Sequence, residues 1–397
     1  MIYSKTVYYG RSENPYLDLP IASKWFLHLT KCNFEQDDIF YYDRHDLSIR
    51  KEEFDTFIDE EHWNHITSTP TVKVLINFSD DYFNAIDVKR LSKTILDKNI
   101  NPSQVYMLVM DENFKTFALE LFEKLGIKGI NVYHYNFLLK KLNINYTYTQ
   151  TPDYKFSVLS RNYNPLRLSF YLYLLENDLI KDFIYSFHNY LPYIEQKNIS
   201  INTVKEDATK VGYEPTSKRD KWIEGLPYDL GNRNSKWIDE INDAISNSNF
   251  HLLIESHFDP YLGPAFEHAR KEYNIEEFSP AFPTEKTWRV ILCKRPFIAA
   301  STPYFLKGLK QLGFKTFSPF IDESYDNIEN DEDRKSSLLN EIKRIINLPE
   351  DERNYIITQC KDICEHNYQL LRVHHNEIKF TNKFDLLGQI EILHSAI

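Results

Sequence analysis

Short apolar runs and amphipathic stretches alternate along the first 150 residues. Buried strands are predicted from the apolar runs, and helices from the stretches between them. In chain order they are strand 71–83, helix 87–100, strand 104–113, helix 114–127 and strand 129–138. Gly126 is expected to close the second helix. Strands that alternate with helices at this spacing pair in parallel, so the pattern predicts one Rossmann-like α/β domain over 1–150.

A polar stretch at 141–155 is predicted to be a linker, because a second alternation follows it. Its expected elements are strand 155–162, helix 164–180, strand 182–187, helix 235–248, strand 249–256, strand 297–300, a helix from Pro303, and helices 334–347 and 349–368. The region 190–235 is polar, and we expect it to be irregular. The chain is thus predicted to be an α/β protein with two Rossmann-like domains that face a cleft. The second domain would cover 151–372, and a tail at 373–397 would pack back on the first.

Charge and missing motifs exclude several function classes. The chain has 397 residues and a net charge of −11, which argues against a protein that coats nucleic acid. It contains neither a Gly-x-Gly-x-x-Gly nor a P-loop pattern, so a dinucleotide dehydrogenase and a P-loop NTPase are not expected. The four cysteines, at 32, 293, 360 and 364, lack metal-site spacing, and His366, His374 and His375 lack it too. No signal peptide or membrane span is predicted, and a cytoplasmic location is expected.

The segment 282–302 carries the first candidate site. Thr284 is placed to cap a helix whose first turn holds Glu285 and Lys286. An acidic residue at a helix start is often only a partner of the helix dipole. A carboxylate there also accepts both hydroxyls of a ribose, while free N–H groups of the helix start bind phosphate. Ser301 and Thr302 repeat the arrangement after strand 297–300, before the next helix.

A second candidate site follows strand 155–162. Arg161 lies at the end of that strand and Arg167 lies one turn into the next helix. Two guanidinium groups near a helix start suit a diphosphate. Two surface arginines that bind no ligand would give the same sequence pattern. Glu255, at the end of strand 249–256, is expected to line the same edge of the sheet. Together these residues suggest a site for a nucleotide-diphosphate sugar.

These motifs, with "LIES" (253–256), "KRPFI" (294–298), "LGFKTF" (312–317) and "FIDESYD" (320–326), resemble a glycosyltransferase-like family of phages and environmental bacteria. The resemblance covers roughly 155–345, and it extends more distantly to the GT-B fold. It implies that Glu285 binds the ribose of the donor and that Arg161 and Arg167 face its diphosphate. Thr284 and Lys286 would support them. A UDP-sugar is the favoured donor and co-substrate, and no further cofactor or metal is expected.

Two further groups of residues concern catalysis and the choice of acceptor. A base that takes the acceptor proton is expected from the N-terminal domain, where Asp80 and Asp81 follow a strand, although each also suits a helix cap. The acceptor is either a saccharide or a hydroxymethylated base in phage DNA. The second possibility needs a basic groove, for which Lys218, Arg219 and Trp222 are the candidates. A binding protein that kept the fold without turnover is the alternative to an enzyme.

Overall fold

The computed structural model describes about two thirds of the chain. The described residues are 2–4, 39–43, 64, 67–70, 73–78, 85–109, 112–134, 144, 152–160, 163–191, 197–230, 237–255, 271–275 and 283–380. Contacts between Cα atoms divide the chain into two compact units. Unit 1 comprises 1–141, 261–282 and 374–397, and unit 2 comprises 142–260 and 283–373. The acceptor role of the first predicted domain and the donor role of the second stay predictions.

The described part of unit 1 contains a parallel five-stranded sheet and the helices α1 and α2. Its elements are β1 (Ile2–Ser4), β2 (Ile39–Asp43), β3 (Lys73–Phe78), α1 (Ala85–Asp97), β4 (Val105–Val109), α2 (Glu112–Lys124) and β5 (Asn131–His134). The strands lie side by side in chain order, and every described pairing between them is parallel. The three predicted strands lie inside their expected ranges. Gly126 has the positive φ of 84° that a left-handed helix end requires, which confirms its predicted position.

The helices of unit 1 form because their apolar residues recur on one face. Val88, Leu91 and Ile95 of α1 are spaced three and four residues apart and are all buried in the core of the unit. Ile275 belongs to the same core, and Lys89 pairs with Glu272 at 2.6 Å. The segment 261–282 therefore belongs to unit 1, whereas the predicted second domain was continuous from 151 to 372.

Unit 2 is built on a parallel four-stranded sheet. The strands and the helices that precede β10 are β6 (Tyr154–Ser160), α3 (Pro165–Glu176), β7 (Phe183–Phe187), β8 (Tyr190–Leu191), β9 (Lys197–Asn198), α4 (Ile201–Lys210), α5 (Ser217–Glu224), α6 (Trp237–Ser246) and β10 (Ser248–Ile254). The later elements are α7 (Glu285–Leu292), β11 (Phe297–Ala300), α8 (Phe305–Gln311), α9 (Asp331–Asn347) and α10 (Glu350–Phe380), whose residues from 374 onward are assigned to unit 1. β8 and β9 form a separate antiparallel pair.

The order of the four strands is β11-β10-β6-β7, so the chain reverses direction across the sheet after β7. β7 lies on one side of β6, and β10 lies on the other. In sheets of this kind, ligands bind outside the carboxyl ends of the strands at such a reversal. The described strands of unit 1 show no reversal, so this rule points to the β6 and β10 ends in unit 2.

The structure corrects the expectation that 190–235 is irregular. Helices α4 and α5 occupy much of it, and each begins at a capping side chain: Ser200 Oγ accepts from Thr203 N, and Thr216 Oγ1 accepts from Arg219 N, both at 3.1 Å. In the C-terminal part, α9 and α10 confirm the two predicted helices, and α10 extends twelve residues beyond 368 to Phe380. Among the described helices, none combines the length and apolarity that crossing a membrane requires.

Candidate functional site

The four strands of unit 2 end at the same level, which gathers the predicted residues along one edge. Ser160 is paired in register with Phe187, and Ile254 with Ala300, while Val158 faces Leu252 two residues before the ends. The next residues along the four strands are therefore 161, His188, Glu255 and Ser301. Arg161 itself lies outside the described residues.

Arg167 lies in the first turn of α3. This helix begins because Asn164 Oδ1 accepts from Leu166 N at 2.8 Å and because Pro165 occupies the first helical position. The first turn contains no acidic residue. Arg167 is 8% exposed, and its guanidinium acts electrostatically on both Glu285 and Tyr171. The start of α3 thus carries a buried arginine and no acidic residue in its first turn.

Glu255 reaches the start of α7 from the end of β10. Its Oε1 accepts from Thr284 N at 3.1 Å and from Thr287 Oγ1, and its Oε2 accepts from Thr284 Oγ1 at 2.5 Å. Lys286 Nζ lies 3.5 Å from Oε2, and the Glu255 side chain is only 1% exposed. Both carboxylate oxygens are thus engaged by α7. Glu255 lies where the sequence placed it, and its direct contact with a donor stays a prediction.

Glu285 is the first residue of α7 and is partly buried. Burial raises the pKa of its carboxyl, but Lys286, its own backbone N–H, Arg289 and Arg167 together outweigh that effect and hold the pKa below its usual value. The carboxylate therefore stays ionised near neutral pH. An ionised carboxylate accepts hydrogen bonds from hydroxyl groups, and the role of Glu285 as a ribose ligand stays a prediction.

Ser301 and Thr302 follow β11 and are buried. Arg334 Nε donates to Ser301 O at 3.2 Å, which ties the turn to α9. The helix that follows, α8, begins at a carboxylate: the two oxygens of Asp326 accept from Leu306 N at 2.9 Å and from Lys307 N at 3.1 Å. Two backbone N–H groups at the start of α8 are thus already hydrogen-bonded to a carboxylate of the protein.

The three helix starts at this edge differ in charge. A carboxylate faces the start of α7 and another faces the start of α8, while α3 carries an arginine and an uncharged cap. The sequence had assigned free N–H groups for phosphate to α7. In the structure, Thr284 N donates to Glu255 and Lys286 N donates to Thr284 Oγ1, so these two donors are occupied. The first turn of α3 instead carries an arginine and no acid, an arrangement that favours an anion at a helix start.

Comparisons with known proteins do not identify a family for this chain. No family model matches the chain, and no curated protein matches it. Among solved structures, a chain of the crystal structure of the GtfA/B complex is 11% identical, with a TM-score of 0.39. The alignment covers 90% of this chain, which spans 60% of the length of that neighbour. This likeness is too low to establish a shared fold or function.

The three side chains predicted for acceptor binding do not form a basic groove. Lys218 is exposed and pairs with Asp178. Arg219 is 2% exposed and donates to Tyr213 O at 2.5 Å and to its neighbour Asp220. Trp222 is buried. It packs in an aromatic cluster with Tyr171, Phe187 and Tyr228. Arg219 and Trp222 serve the interior of unit 2, so their contact with an acceptor finds no support in this arrangement.

The remaining predicted site residues concern catalysis and metals. Asp80 and Asp81 lie outside the described residues, so their catalytic role stays a prediction. Within the described ranges, no group of three or more potential ligands is arranged to hold a metal ion. Cys293, Cys360 and Cys364 are free and buried, and burial raises the pKa of the Cys293 and Cys360 thiols to about 12.

The sequence reading missed a polar group at the end of β7. His188 Nε2 lies 2.7 Å from Asp229 Oδ1, and Asn189 follows, with its amide nitrogen donating to Ile199 O at 2.7 Å. His188 and Asn189 follow the carboxyl end of β7, on the same edge as Arg167 and Glu285. The available signal was the change from the apolar run 183–187 to His188 and Asn189, which places two polar side chains at the carboxyl end of a strand.

Proposed function

We propose that unit 2 binds a nucleoside-diphosphate sugar, with UDP as the favoured nucleotide. The chain then transfers the sugar to a hydroxyl acceptor, as a glycosyltransferase built from two Rossmann-like domains of the GT-B type. The observation that carries the proposal is the pair of opposite charges at neighbouring helix starts. Arg167 at α3 lies close enough to Glu285 at α7 to lower its pKa. A ligand that meets both must carry an anionic group and, next to it, hydroxyl groups.

A nucleoside diphosphate has that chemistry. An ionised Glu285 accepts the two ribose O–H groups, and charge-assisted hydrogen bonds of this kind are about twice as strong as neutral ones. The diphosphate lies against Arg167 and the start of α3, where a guanidinium and helix N–H groups stabilise negative charge. The same positive groups favour departure of the diphosphate when the sugar leaves it. Asp80 and Asp81 are the proposed source of the base that takes the acceptor proton.

The acceptor is proposed to be a saccharide rather than a modified base in DNA. A DNA acceptor depended on Arg219 and Trp222 as surface contacts, and both side chains are buried in unit 2. The net charge of −11 also opposes binding to a phosphate backbone. The competing function is a nucleotide-binding or glycan-binding protein without turnover, and it differs from a transferase in one respect: the bound nucleotide sugar stays intact.

The test is a thermal-shift panel of UDP, GDP, CMP, dTDP and ADP, together with the corresponding sugar nucleotides. A ligand that binds the folded state raises the unfolding temperature by mass action. We expect one nucleotide to shift the wild-type protein and to lose that shift in Glu285→Ala. The matched control is Glu350→Ala, because Glu350 occupies the same first position of α10 but is exposed and away from the edge.

Two outcomes contradict the proposal. If no member of the panel shifts the wild-type protein, the nucleotide-sugar site is wrong. If Glu350→Ala loses the shift as fully as Glu285→Ala does, the effect comes from helix stability and not from the site. For the nucleotide that binds, incubation of its radiolabelled sugar conjugate with candidate saccharides then separates transfer or hydrolysis from mere binding.

A further inference from the structure

A surface pocket of about 290 Å³ lies at the corner between α9 and α10 in unit 2. Its lining comes from the last turn of α9, the connecting turn and the first two turns of α10: Arg344, Leu348, Asp351, Glu352, Tyr355 and Ile356. Arg334, which contacts the turn after β11, precedes Arg344 by ten residues, or about 15 Å along the helix. The pocket is therefore separate from the edge that carries Glu285, and the inference does not depend on the proposed function.

The size and the apolar lining of the pocket suit one side chain of a partner polypeptide. Sites for small molecules and cofactors usually measure about 300–1,000 Å³, so this pocket is at or below their lower limit. Leu348 and Ile356 supply its aliphatic surface. Tyr355 is 61% exposed, the largest fraction among the large apolar side chains that the structure describes. Exposed tyrosines are enriched at protein interfaces, because the ring is apolar and the hydroxyl is polar.

The charged groups at the pocket leave an excess of negative charge. Arg344 is already paired inside the protein, because its Nε and Nη2 each donate to one oxygen of Glu341 at 2.6 Å. Asp351 and Glu352 are exposed, and within the part of the chain that the structure describes neither forms a salt bridge. Glu352 acts on Arg344 electrostatically but is not its hydrogen-bond partner. Arg353, the next residue along α10, donates to a backbone carbonyl at 3.1 Å.

Stabilisation of the helix dipole explains only part of this arrangement. Acidic residues in the first turn of a helix are favourable by themselves, and Asp351 and Glu352 gain that benefit. The dipole does not explain an exposed ring beside them. Tyr355 follows Asp351 by four residues and Glu352 by three, so the three side chains lie on one face of α10. Two carboxylates next to an aromatic ring and an aliphatic surface suit a cation that has an apolar stem.

We propose that this pocket binds an arginine side chain of a partner polypeptide. The guanidinium lies against the ring of Tyr355 and pairs with Asp351 and Glu352, while its aliphatic stem contacts Leu348 and Ile356. Charge complementarity decides the occupant: an acidic side chain would be repelled, and an apolar one would cover two carboxylates without a counter-charge. Arginine is favoured over lysine because its planar fork matches carboxylates and stacks on aromatic rings. The net charge of −11 also favours a basic partner.

The experiment titrates the full chain with the peptide acetyl-Gly-Gly-Arg-Gly-Gly-amide. Binding is followed by the NMR shift of the Ile356 methyl group, whose signal is identified by its absence in Ile356→Val. A single side chain should bind in the millimolar range, which such shifts measure. Two comparison peptides carry lysine or the neutral isostere citrulline in place of arginine.

Three variants test the lining residues, and a fourth is the matched control. Asp351→Asn, Glu352→Gln and Tyr355→Ala each change an exposed side chain, so these variants are expected to fold. Glu350→Gln is the control, because Glu350 is an exposed carboxylate of the same turn that does not line the pocket.

We expect the arginine peptide to shift Ile356, to bind more tightly than the lysine peptide, and to exceed the citrulline peptide by the widest margin. Each of the three variants should weaken it about two- to fivefold, as for an exposed ion pair or cation–π contact. Glu350→Gln should have a smaller effect, since exposed charges out of contact are screened by salt.

Three results would overturn the proposal. If the arginine peptide leaves Ile356 unshifted, or if citrulline shifts it equally, the pocket does not bind a guanidinium. If lysine binds as tightly, the pocket selects charge alone and the assignment to arginine is wrong. If the three variants weaken binding no more than Glu350→Gln does, the peptide binds elsewhere on the acidic surface.

Discussion

Glu255 is expected to brace the start of α7, and replacing it tests that role directly. The carboxylate accepts three hydrogen bonds, two from Thr284 and one from Thr287, and it is nearly fully buried. Hydrogen bonds to a charged group contribute about 1.5–3 kcal/mol each. Glu255→Gln keeps the side-chain volume and one accepting oxygen. The amide NH₂ that replaces the other oxygen then faces a hydrogen-bond donor. We expect the local stability of α7 to fall by about 2–3 kcal/mol.

The assay is native-state hydrogen exchange of the amides of α7, Glu285–Leu292. A loss of 2–3 kcal/mol lowers their protection roughly 30- to 140-fold, since every 1.4 kcal/mol is a factor of ten. Local exchange suits a chain with two compact units better than a single melting temperature. Glu341→Gln is the matched control: Glu341 is also buried and accepts from Asp322 N at 2.9 Å, but it lies in α9. It should leave protection of α7 unchanged.

One result refutes the bracing role. If Glu255→Gln leaves the exchange of α7 at the wild-type rate and abolishes nucleotide binding, the carboxylate is a ligand contact, as the sequence had suggested. If the variant lowers protection and weakens nucleotide binding only in proportion, then Glu255 acts on the site through the position of α7.

Further predictions concern buried ionisable groups, and urea unfolding followed by circular dichroism measures each of them. Burial raises the pKa of Asp326 to about 6, above the 3.8 expected when unfolded, so its contribution to stability is present at low pH and is lost as pH rises from about 4 to 6. The difference in unfolding free energy between wild type and Asp326→Asn should change by about 3 kcal/mol across that window, and a constant difference would contradict this. Burial lowers the pKa of His251 to about 3, from 6.5 when unfolded, so stability should fall as pH drops through 6.5 towards 3, by up to about 4 kcal/mol. His251→Leu should remove this part of the acid sensitivity, and a variant as acid-sensitive as the wild type would disprove it. Arg219→Met should lower stability by at least 1 kcal/mol without changing retention on hydroxymethylated duplex DNA, because its guanidinium is internal; weaker retention would restore a role at the surface.

Hydrophobic patterning was enough to locate most strands and helices. β11 occupies 297–300 as predicted, because its four residues are all buried and the run is bounded by Pro296 and Ser301. Strands of a parallel sheet are covered on both faces, so they read as continuous apolar runs. Helices α4 and α5 were missed for the opposite reason: few of their residues are buried, and their main sequence signals are the caps Ser200 and Thr216.

The partners of the site residues were beyond the reach of sequence patterns. The sequence indicated that Glu255 and Thr284 lie near one edge, but their hydrogen bonds join residues 29 positions apart. The carboxylate of Asp326 caps a helix that begins some 20 residues earlier in the chain. A local pattern identifies a capping residue only within about four positions of a helix start. Which helix starts remain open to an anion is therefore decided by tertiary packing.

The difference in charge between the three helix starts restricts the chemistry of the proposed ligand. Helix starts are attractive to anions in general, and three of them meet at this edge, but the protein's own carboxylates face those of α7 and α8. A simple anion such as inorganic phosphate would be held at α3 by Arg167 and repelled by Glu285 nearby. A neutral saccharide would meet Glu285 but would bring no negative charge to Arg167. A ligand that joins an anion to a diol satisfies both groups at once. Binding should therefore depend on the two parts being covalently linked, since linking makes the second contact intramolecular.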